Sequence, residues 1–239
     1  MKTVIHPSET RGHANHGWLD TYHTFSFSSY YNAERMSFGV LRVLNDDTID
    51  GGTGFGTHPH QNMEIISIPL KGDLEHKDSM GTVQVIKEND VQVMSAGTGI
   101  THSEYNHNKE KSTNFLQIWV IPSKLNVQAR YEQKHFPASS RLNKLAPIVV
   151  PFGEPDGVQI HQNAWFYRGT FDSAQALRYK LNRTENGVYV FVIEGDIVIS
   201  GNTLRKRDGI GITETDEIEI QFLGVSDVLI LEVPMKINE

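Results

Sequence analysis

The chain has 239 residues and carries 22 Lys and Arg against 29 Asp and Glu, a formal net charge of −7. This acidic balance excludes the basic footprint of a protein that binds nucleic acid directly. A hydrophobic share of 38% and a charged share of 21% are typical of a folded globular protein. The sequence has neither a signal-peptide core nor an apolar stretch of membrane-spanning length, so we expect no membrane association and a cytoplasmic location.

The cysteine count is zero, which limits the chemistry that the chain can carry. Disulfides are excluded, and any metal site must be built from imidazole, carboxylate, amide or water ligands. The length allows two domains, each large enough to bury a hydrophobic core.

Short segments of alternating apolar residues, separated by Gly, Asn and Asp, predict an all-β chain. In the first half we expect a strand over residues 37–44, a hairpin formed by 83–86 and 91–94, and a strand over 114–121. Residues 123–136 are rich in Lys, Gln and Arg and have weak helical character. Pro137 breaks this segment, so we place the boundary between two domains there, at 1–136 and 137–239.

The second half continues the β pattern. Strands are expected at 188–193 and 197–200, around a Glu-Gly-Asp turn, and at 227–233 near the C-terminus. Residues 217–222 alternate between polar and apolar side chains, as in a half-buried strand. His161 is the only histidine after Leu145, so this half cannot assemble a histidine cluster of its own.

Two short histidine motifs carry the strongest functional signal. His58 and His60 follow a glycine-rich loop, and side chains two residues apart on a strand project from one face, about 6.6 Å apart. His102 and Glu104 repeat this spacing after a second glycine-containing stretch. Brought together, these four side chains predict a metal site. The alternative is that they only hydrogen-bond to one another at a barrel mouth.

Three further residues near these motifs have predicted roles. Glu64 lies four residues after His60, which predicts either a fifth ligand or, as we prefer, an acceptor behind a ligating histidine. Asn106 has a similar position after Glu104 and is predicted to be an amide that lies behind the ligands or in the cavity wall. His76 stands among charged neighbours, which predicts a solvent-facing side chain.

The same motifs resemble those of a known superfamily and, more closely, of one family within it. Gly52-x5-His58-x-His60-x3-Glu64-x7-Gly72 resembles the first cupin motif, with a one-residue departure at Gly72, and Gly99-x2-His102-x3-Asn106 resembles the second. Four segments resemble the pirin family more specifically: Leu41-Arg42-Val43-Leu44-Asn45-Asp46, His58-Pro59-His60, Met63-Glu64 and the run from Met94 to Glu104.

The resemblance to pirins implies a bicupin, that is, two antiparallel β-barrel (jelly-roll) domains with short helices, the second without a metal site. It places one divalent ion on His58, His60, His102 and Glu104. Fe(II) is the expected metal, and the ligand set also suits Mn, Co, Ni, Cu or Zn.

Bacterial pirin-like proteins are associated with quercetin 2,3-dioxygenase activity, so the resemblance implies a small aromatic substrate and O2. In that reaction Glu104 is the expected catalytic proton acceptor, and carbon monoxide is released as the flavonol ring opens. The alternative is a non-catalytic, metal-dependent regulatory module that binds protein partners, as pirins are also known to do.

Overall fold

The computed structural model describes residues 1–237, and most of its secondary structure is β-strand. The helical elements among these residues are two short 3-10 helices, Ser8–Thr10 and Ala138–Arg141. The strands form two seven-stranded and two four-stranded sheets, which confirms the predicted all-β class. Within 1–237 no helix has the length and apolar character needed to cross a membrane.

The strands follow one another through the chain in two groups. The first group is β1 (Lys2–His6), β2 (Gly12–Asn15), β3 (Leu19–His23), β4 (Leu41–Ile49), β5 (Gly54–His60), β6 (Glu64–Lys71), β7 (Leu74–Asp78), β8 (Val83–Ile86), β9 (Asp90–Ser95), β10 (Ile100–Asn106), β11 (Thr113–Val120) and β12 (Arg130–His135). The second group is β13 (Leu145–Pro151), β14 (Val158–Ile160), β15 (Trp165–Phe171), β16 (Gln175–Lys180), β17 (Asn186–Glu194), β18 (Ile197–Ile199), β19 (Asn202–Leu204), β20 (Gly209–Thr213), β21 (Glu217–Phe222) and β22 (Ser226–Pro234).

Apart from β1, each group builds one barrel from a large and a small sheet. The first barrel has the sheet order β12-β9-β6-β11-β4-β3-β2 and, opposite it, β5-β10-β7-β8. The second barrel has β1-β20-β17-β22-β15-β13-β14 and β16-β21-β18-β19. Strand β1 therefore crosses over, because Lys2–His6 pairs antiparallel with β20 of the second barrel. The last two residues of the predicted second domain, 238 and 239, lie outside the described residues.

The two seven-stranded sheets pack against each other through one shared hydrophobic cluster. It contains Leu116 and Ile118 of β11 together with Phe166 and Leu229 of the second barrel. Because side chains alternate along a strand, the residues between them on β11 face the interior of the first barrel. Gln117 is one of these. The other residues of the large sheet that line the candidate site, Asn45, Asp47 and Trp119, lie on the same face by the same alternation.

Two local predictions are wrong. Residues 83–86 and 90–95 are both strands, but β8 pairs with β7 in the small sheet whereas β9 pairs with β6 and β12 in the large one. The polar turn between them therefore connects two sheets and does not close a hairpin. Residues 130–135, expected to be weakly helical, form β12, because pairing with β9 satisfies their backbone hydrogen bonds at the sheet edge.

Candidate metal centre

Two neighbouring strands carry the predicted ligands. β5 and β10 are antiparallel, with His60 opposite Ile100 and His58 opposite His102. The register shifts between His102 and Glu104, where the ladder has a bulge. Directly opposed residues share a face of the sheet, so the pairing brings the two sequence motifs together.

Glycines permit this close arrangement. Gly97, just before β10, has a φ of +47°, and a Cβ atom there would clash with the carbonyl of Val127. A Cβ atom on Gly54 would clash with the backbone of Glu104 across the β5–β10 pair. The glycine-rich stretches before both motifs are therefore needed for the strands to reach their positions.

The imidazoles of His58, His60 and His102 form a cluster. One nitrogen of each ring lies within 4.8 Å of the corresponding nitrogens of the other two. The ring centroids are 4.8 Å apart for His58 and His60, 4.5 Å for His58 and His102, and 5.0 Å for His60 and His102. Three nitrogens at this spacing can converge on one ion with small side-chain rotations.

The hydrogen bonds around the rings indicate which nitrogens are available. Nδ1 of His58 lies 2.7 Å from the carbonyl oxygen of Gly56, which can only accept, so Nδ1 carries the proton. Nε2 of His102 is buried and has no hydrogen-bond partner among residues 1–237. A buried nitrogen without a partner is costly, and an ion in the cluster would satisfy it. The donor set therefore fits a divalent transition metal.

Burial also keeps His60 and His102 neutral. It lowers the pKa of His60 to about 4, with a further lowering by the neighbouring His102 and His58. The same cause lowers the pKa of His102 to about 3, again assisted by His58 and also by His76. Neutral imidazoles present the lone pairs that a metal requires, so proton competition for these two ligands is weak at neutral pH.

Glu104 lines the same cavity as the three histidines and is almost fully buried. Its Oε1 accepts a 2.7 Å hydrogen bond from Ser67, and its Oε2 accepts one of 2.7 Å from the Gln117 amide. The ligand atoms that lie within 4.8 Å of one another are nitrogens of the three imidazoles, and the carboxylate oxygens of Glu104 are not among them. Each oxygen keeps a further lone pair, so Glu104 can still approach an ion or accept a proton.

The inner wall of the cavity combines aromatic and polar side chains. Trp119 stands edge-on to His60 with a centroid distance of 4.9 Å, and its buried Nε1 has no partner within 1–237. Asp47 accepts a hydrogen bond from Thr21, and burial raises the pKa of Asp47 to about 7. The remaining lining residues are Phe27, Asn45, Phe55 and Gln117. The space near the histidines measures about 50 Å³, and an adjoining cavity that shares part of this wall adds about 120 Å³.

Glu64 is not brought to the histidines. It has the same strand parity as Ile66, which belongs to the cluster shared with the second barrel, whereas Ser67 faces Glu104. The spacing from His60 suggested that Glu64 shares its face. The turn between β5 and β6, with Asn62 at φ +49°, interrupts the alternation, so the two side chains lie on different faces. The Glu64 side chain accepts a 2.7 Å hydrogen bond from Ser95.

The environment of Glu64 predicts a pH-dependent cost to stability. Burial raises its pKa from 4.5 to about 7, opposed by Ser95, Arg130 and the backbone of His161. Because the folded pKa is the higher one, its contribution to stability is complete below about pH 4.5 and is lost as the pH rises through 7. Glu64→Gln should therefore raise the unfolding free energy of the metal-free protein by up to about 3 kcal/mol at pH 8, and little at pH 4.5.

Urea unfolding of wild type and variant at both pH values measures this difference. Glu110→Gln, at an exposed position, is the control and should leave the unfolding free energy unchanged at each pH. An equal effect of Glu64→Gln at the two pH values would contradict the prediction.

Asn106 holds a turn. Its Nδ2 donates to the carbonyls of Ile49 and Lys111, and its Oδ1 accepts from the backbone of Asn108 and the hydroxyl of Thr113. These partners belong to the β10–β11 connection and its neighbouring strands. None of these contacts links Asn106 to the histidine cluster.

The prediction of a solvent-facing His76 is wrong, and this is the clearest correction at this site. His76 is fully buried, and its Nδ1 lies 3.5 Å from Nδ1 of His102. Its Nε2 lies 3.0 Å from Asp78, and its ring packs on Tyr131 with a centroid distance of 4.8 Å. The available signal was the alternation on β7, where Leu74, His76 and Asp78 point inward and the intervening charged residues point outward.

Comparisons with known proteins agree with the fold. The Pirin family profile matches residues 4–120, and the profile described as "Quercetinase C-terminal cupin domain" matches residues 148–233. A protein named quercetin 2,3-dioxygenase from Escherichia coli strain K12 is 38% identical over 230 residues, which cover 96% of this chain and 98% of that protein. A pirin-like protein from Caulobacter vibrioides is 36% identical over 227 residues, which cover 95% of this chain and 97% of that one.

Among solved structures, the bacterial pirin YhhW from Escherichia coli in complex with nickel(II) superimposes with a TM-score of 0.92. It is 37% identical, and the match covers 98% of this chain and 99% of that chain. The two-barrel architecture, the histidine cluster and the similarity along almost the whole length lead to one conclusion. The chain is a bicupin that belongs to the pirin family.

Proposed function

We propose that this protein is a metal-dependent dioxygenase that opens the central ring of a quercetin-like flavonol with O2 and releases carbon monoxide. The observation that carries the proposal is the cluster of three imidazoles beside Glu104, with the buried Nε2 of His102 lacking a partner among the described residues. The name of the Escherichia coli relative supports the substrate class. We propose His58, His60, His102 and Glu104 as the ligands.

The bound ion would supply Lewis acidity, which lowers the pKa of a coordinated hydroxyl, and redox chemistry towards O2. We propose Fe(II), because three imidazoles and one carboxylate extend the two-histidine, one-carboxylate set of non-haem iron oxygenases. Mn, Co, Ni, Cu and Zn suit the same donors, and the nickel complex of the related YhhW supports a divalent ion.

Glu104 is the proposed proton acceptor for the substrate hydroxyl. The hydrogen bonds from Ser67 and Gln117 fix both of its oxygens, so the carboxylate meets the substrate in a defined orientation. Removal of the hydroxyl proton makes the flavonol electron-rich enough to react with O2. One flavonol and one O2 then yield one ring-opened ester and one carbon monoxide.

The aromatic wall would hold the substrate and exclude water. Phe27, Phe55 and Trp119 line the space beside the histidines and can pack against flat rings. The cavities of about 50 and 120 Å³ are smaller than the roughly 300 Å³ of a typical ligand pocket. We therefore expect the 3-hydroxyl and 4-carbonyl region of a flavonol to enter the inner cavity. Its outer ring would then either displace the Phe27 side chain or project through the mouth of the cavity.

Metal removal is the direct test of this function. Elemental analysis of the purified protein should give about one redox-active metal per chain, with quercetin-dependent O2 uptake and equimolar carbon monoxide release. A chelator should abolish both, and readdition of the metal should restore them. Metal binding without turnover would contradict the quercetin dioxygenase proposal and favour either the regulatory, protein-binding alternative or a different substrate. No metal after reconstitution would refute the four-ligand site.

Two further features remain proposals. We propose a division into a metal-binding domain over 1–136 and a cupin-like domain without a metal site over 137–239, noting that β1 pairs with the second barrel. A cytoplasmic location and binding to other proteins are predictions of the sequence analysis.

A further inference from the structure

A line of three buried side chains leads away from the histidine cluster. His102 on β10 faces His76 on β7, and His76 faces Asp78 on the same strand. The strands are antiparallel neighbours, with His102 opposite Asp78 and Glu104 opposite His76. The side chains of His76 and Asp78 are fully buried, so solvent does not compete for their hydrogen bonds.

The far end of the line has a fixed hydrogen-bond direction. Oδ1 of Asp78 accepts hydrogen bonds of 2.9 and 3.0 Å from the backbone N–H groups of Met80 and Thr82. Its Oδ2 lies 3.0 Å from Nε2 of His76. A carboxylate held in this way can only accept, so the proton of His76 lies on Nε2 and its Nδ1 presents a lone pair.

The direction continues to His102. Because Nδ1 of His76 is an acceptor, the facing Nδ1 of His102 must be the donor across the 3.5 Å separation. The proton of His102 then lies on Nδ1, and Nε2 carries the lone pair. That nitrogen is a buried atom without a partner in the described part of the chain, and its ring belongs to the cluster of three imidazoles.

We propose that Asp78 and His76 are positioning residues that fix the tautomer of His102, so that its Nε2 is presented as a metal ligand before the ion arrives. The pair touches neither the ion nor the substrate. Its expected contribution is to metal affinity, because partners of this kind behind a ligating histidine typically contribute 10- to 100-fold. This inference rests on the proposed metal centre.

Asp78→Asn tests the direction of the hydrogen bonds with almost no change in volume. The N–H groups of Met80 and Thr82 require an oxygen, so the new amide must turn its NH2 group towards His76. His76 would then carry its proton on Nδ1 and could no longer accept from His102. We expect Co(II) affinity, measured by competition with a chromophoric chelator, to fall 10- to 100-fold.

Two substitutions of His76 separate hydrogen bonding from packing. His76→Phe keeps a ring against Tyr131 but removes the acceptor, and it should weaken Co(II) binding as much as Asp78→Asn. His76→Gln supplies a carbonyl oxygen that can accept from His102, and it should retain more affinity than the phenylalanine variant. Glu75→Gln, at a side chain on the same strand that pairs with Lys77, should leave Co(II) affinity unchanged.

A second readout needs neither metal nor substrate. Two-bond 1H–15N spectra of the metal-free protein should show His102 protonated on Nδ1 in the wild type and on Nε2 in Asp78→Asn. Unchanged Co(II) affinity and an unchanged tautomer in a folded Asp78→Asn variant would overturn the inference. Because these measurements omit quercetin, absent turnover with intact metal binding would refute only the proposed reaction, whereas a wild type that binds no Co(II) would overturn both proposals.

Discussion

Replacing Glu104 with glutamine is expected to lower quercetin-dependent O2 uptake by a factor of 10² to 10⁴, the usual contribution of a positioned general base. The shape of the side chain is kept, but the amide cannot accept the substrate proton. Its NH2 group would also face either Ser67 or Gln117, both of which donate to the carboxylate. The rate of O2 uptake at saturating quercetin, normalised to bound metal, measures the effect.

Asp47 is the informative comparison for this experiment, because it is the other carboxylate that lines the cavity within the described residues. Burial raises its pKa to about 7, so it is partly protonated at neutral pH. We expect Asp47→Asn to reduce turnover less than Glu104→Gln does. The reverse order would assign the proton acceptor to Asp47 and contradict the role proposed for Glu104.

Replacing Glu232 with leucine should have the largest effect on stability. This carboxylate in β22 is fully buried and accepts from the Tyr179 hydroxyl, the Asn182 and Arg183 backbones, and the Asn182 and Asn186 amides. Leucine would leave the Tyr179 hydroxyl and the backbone N–H groups of Asn182 and Arg183 without this acceptor, and the two side-chain amides would keep only their other contacts. We expect the unfolding free energy to fall by about 3–5 kcal/mol, measured by urea denaturation.

A matched control is available on the neighbouring sheet. Glu219 on β21 has an exposed side chain and pairs with the exposed Arg178, so Glu219→Leu should change the unfolding free energy by less than about 1 kcal/mol. If the Glu232→Leu protein does not fold, Glu232→Gln retains one oxygen and should show a smaller loss. Equal effects of the leucine substitutions at positions 219 and 232 would show that the buried network contributes nothing.

The sequence by itself determined the fold class and singled out the three histidines that the structure brings together. Period-2 alternation identified β21, because one of its sides faces solvent. A near-continuous apolar run identified β22, because a strand covered on both faces loses the alternation. The spacing of His58 and His60 was informative because alternate residues of one strand share a face regardless of the tertiary structure. The recognition of the pirin family rested on the same local motifs and is confirmed.

Only the tertiary structure decided which strands are neighbours. The pairing of β5 with β10 and of β10 with β7 sets His102 against His58 on one side and brings His76 behind it on the other. Parity cannot be carried through a turn, which is why Glu64 faces the second barrel although it is four residues after His60. The charged neighbours of His76 led to the wrong prediction of a solvent-facing side chain, because alternation along a strand places an inward residue between two outward ones. Local sequence therefore fixes which face a side chain takes, and long-range pairing fixes what that face meets.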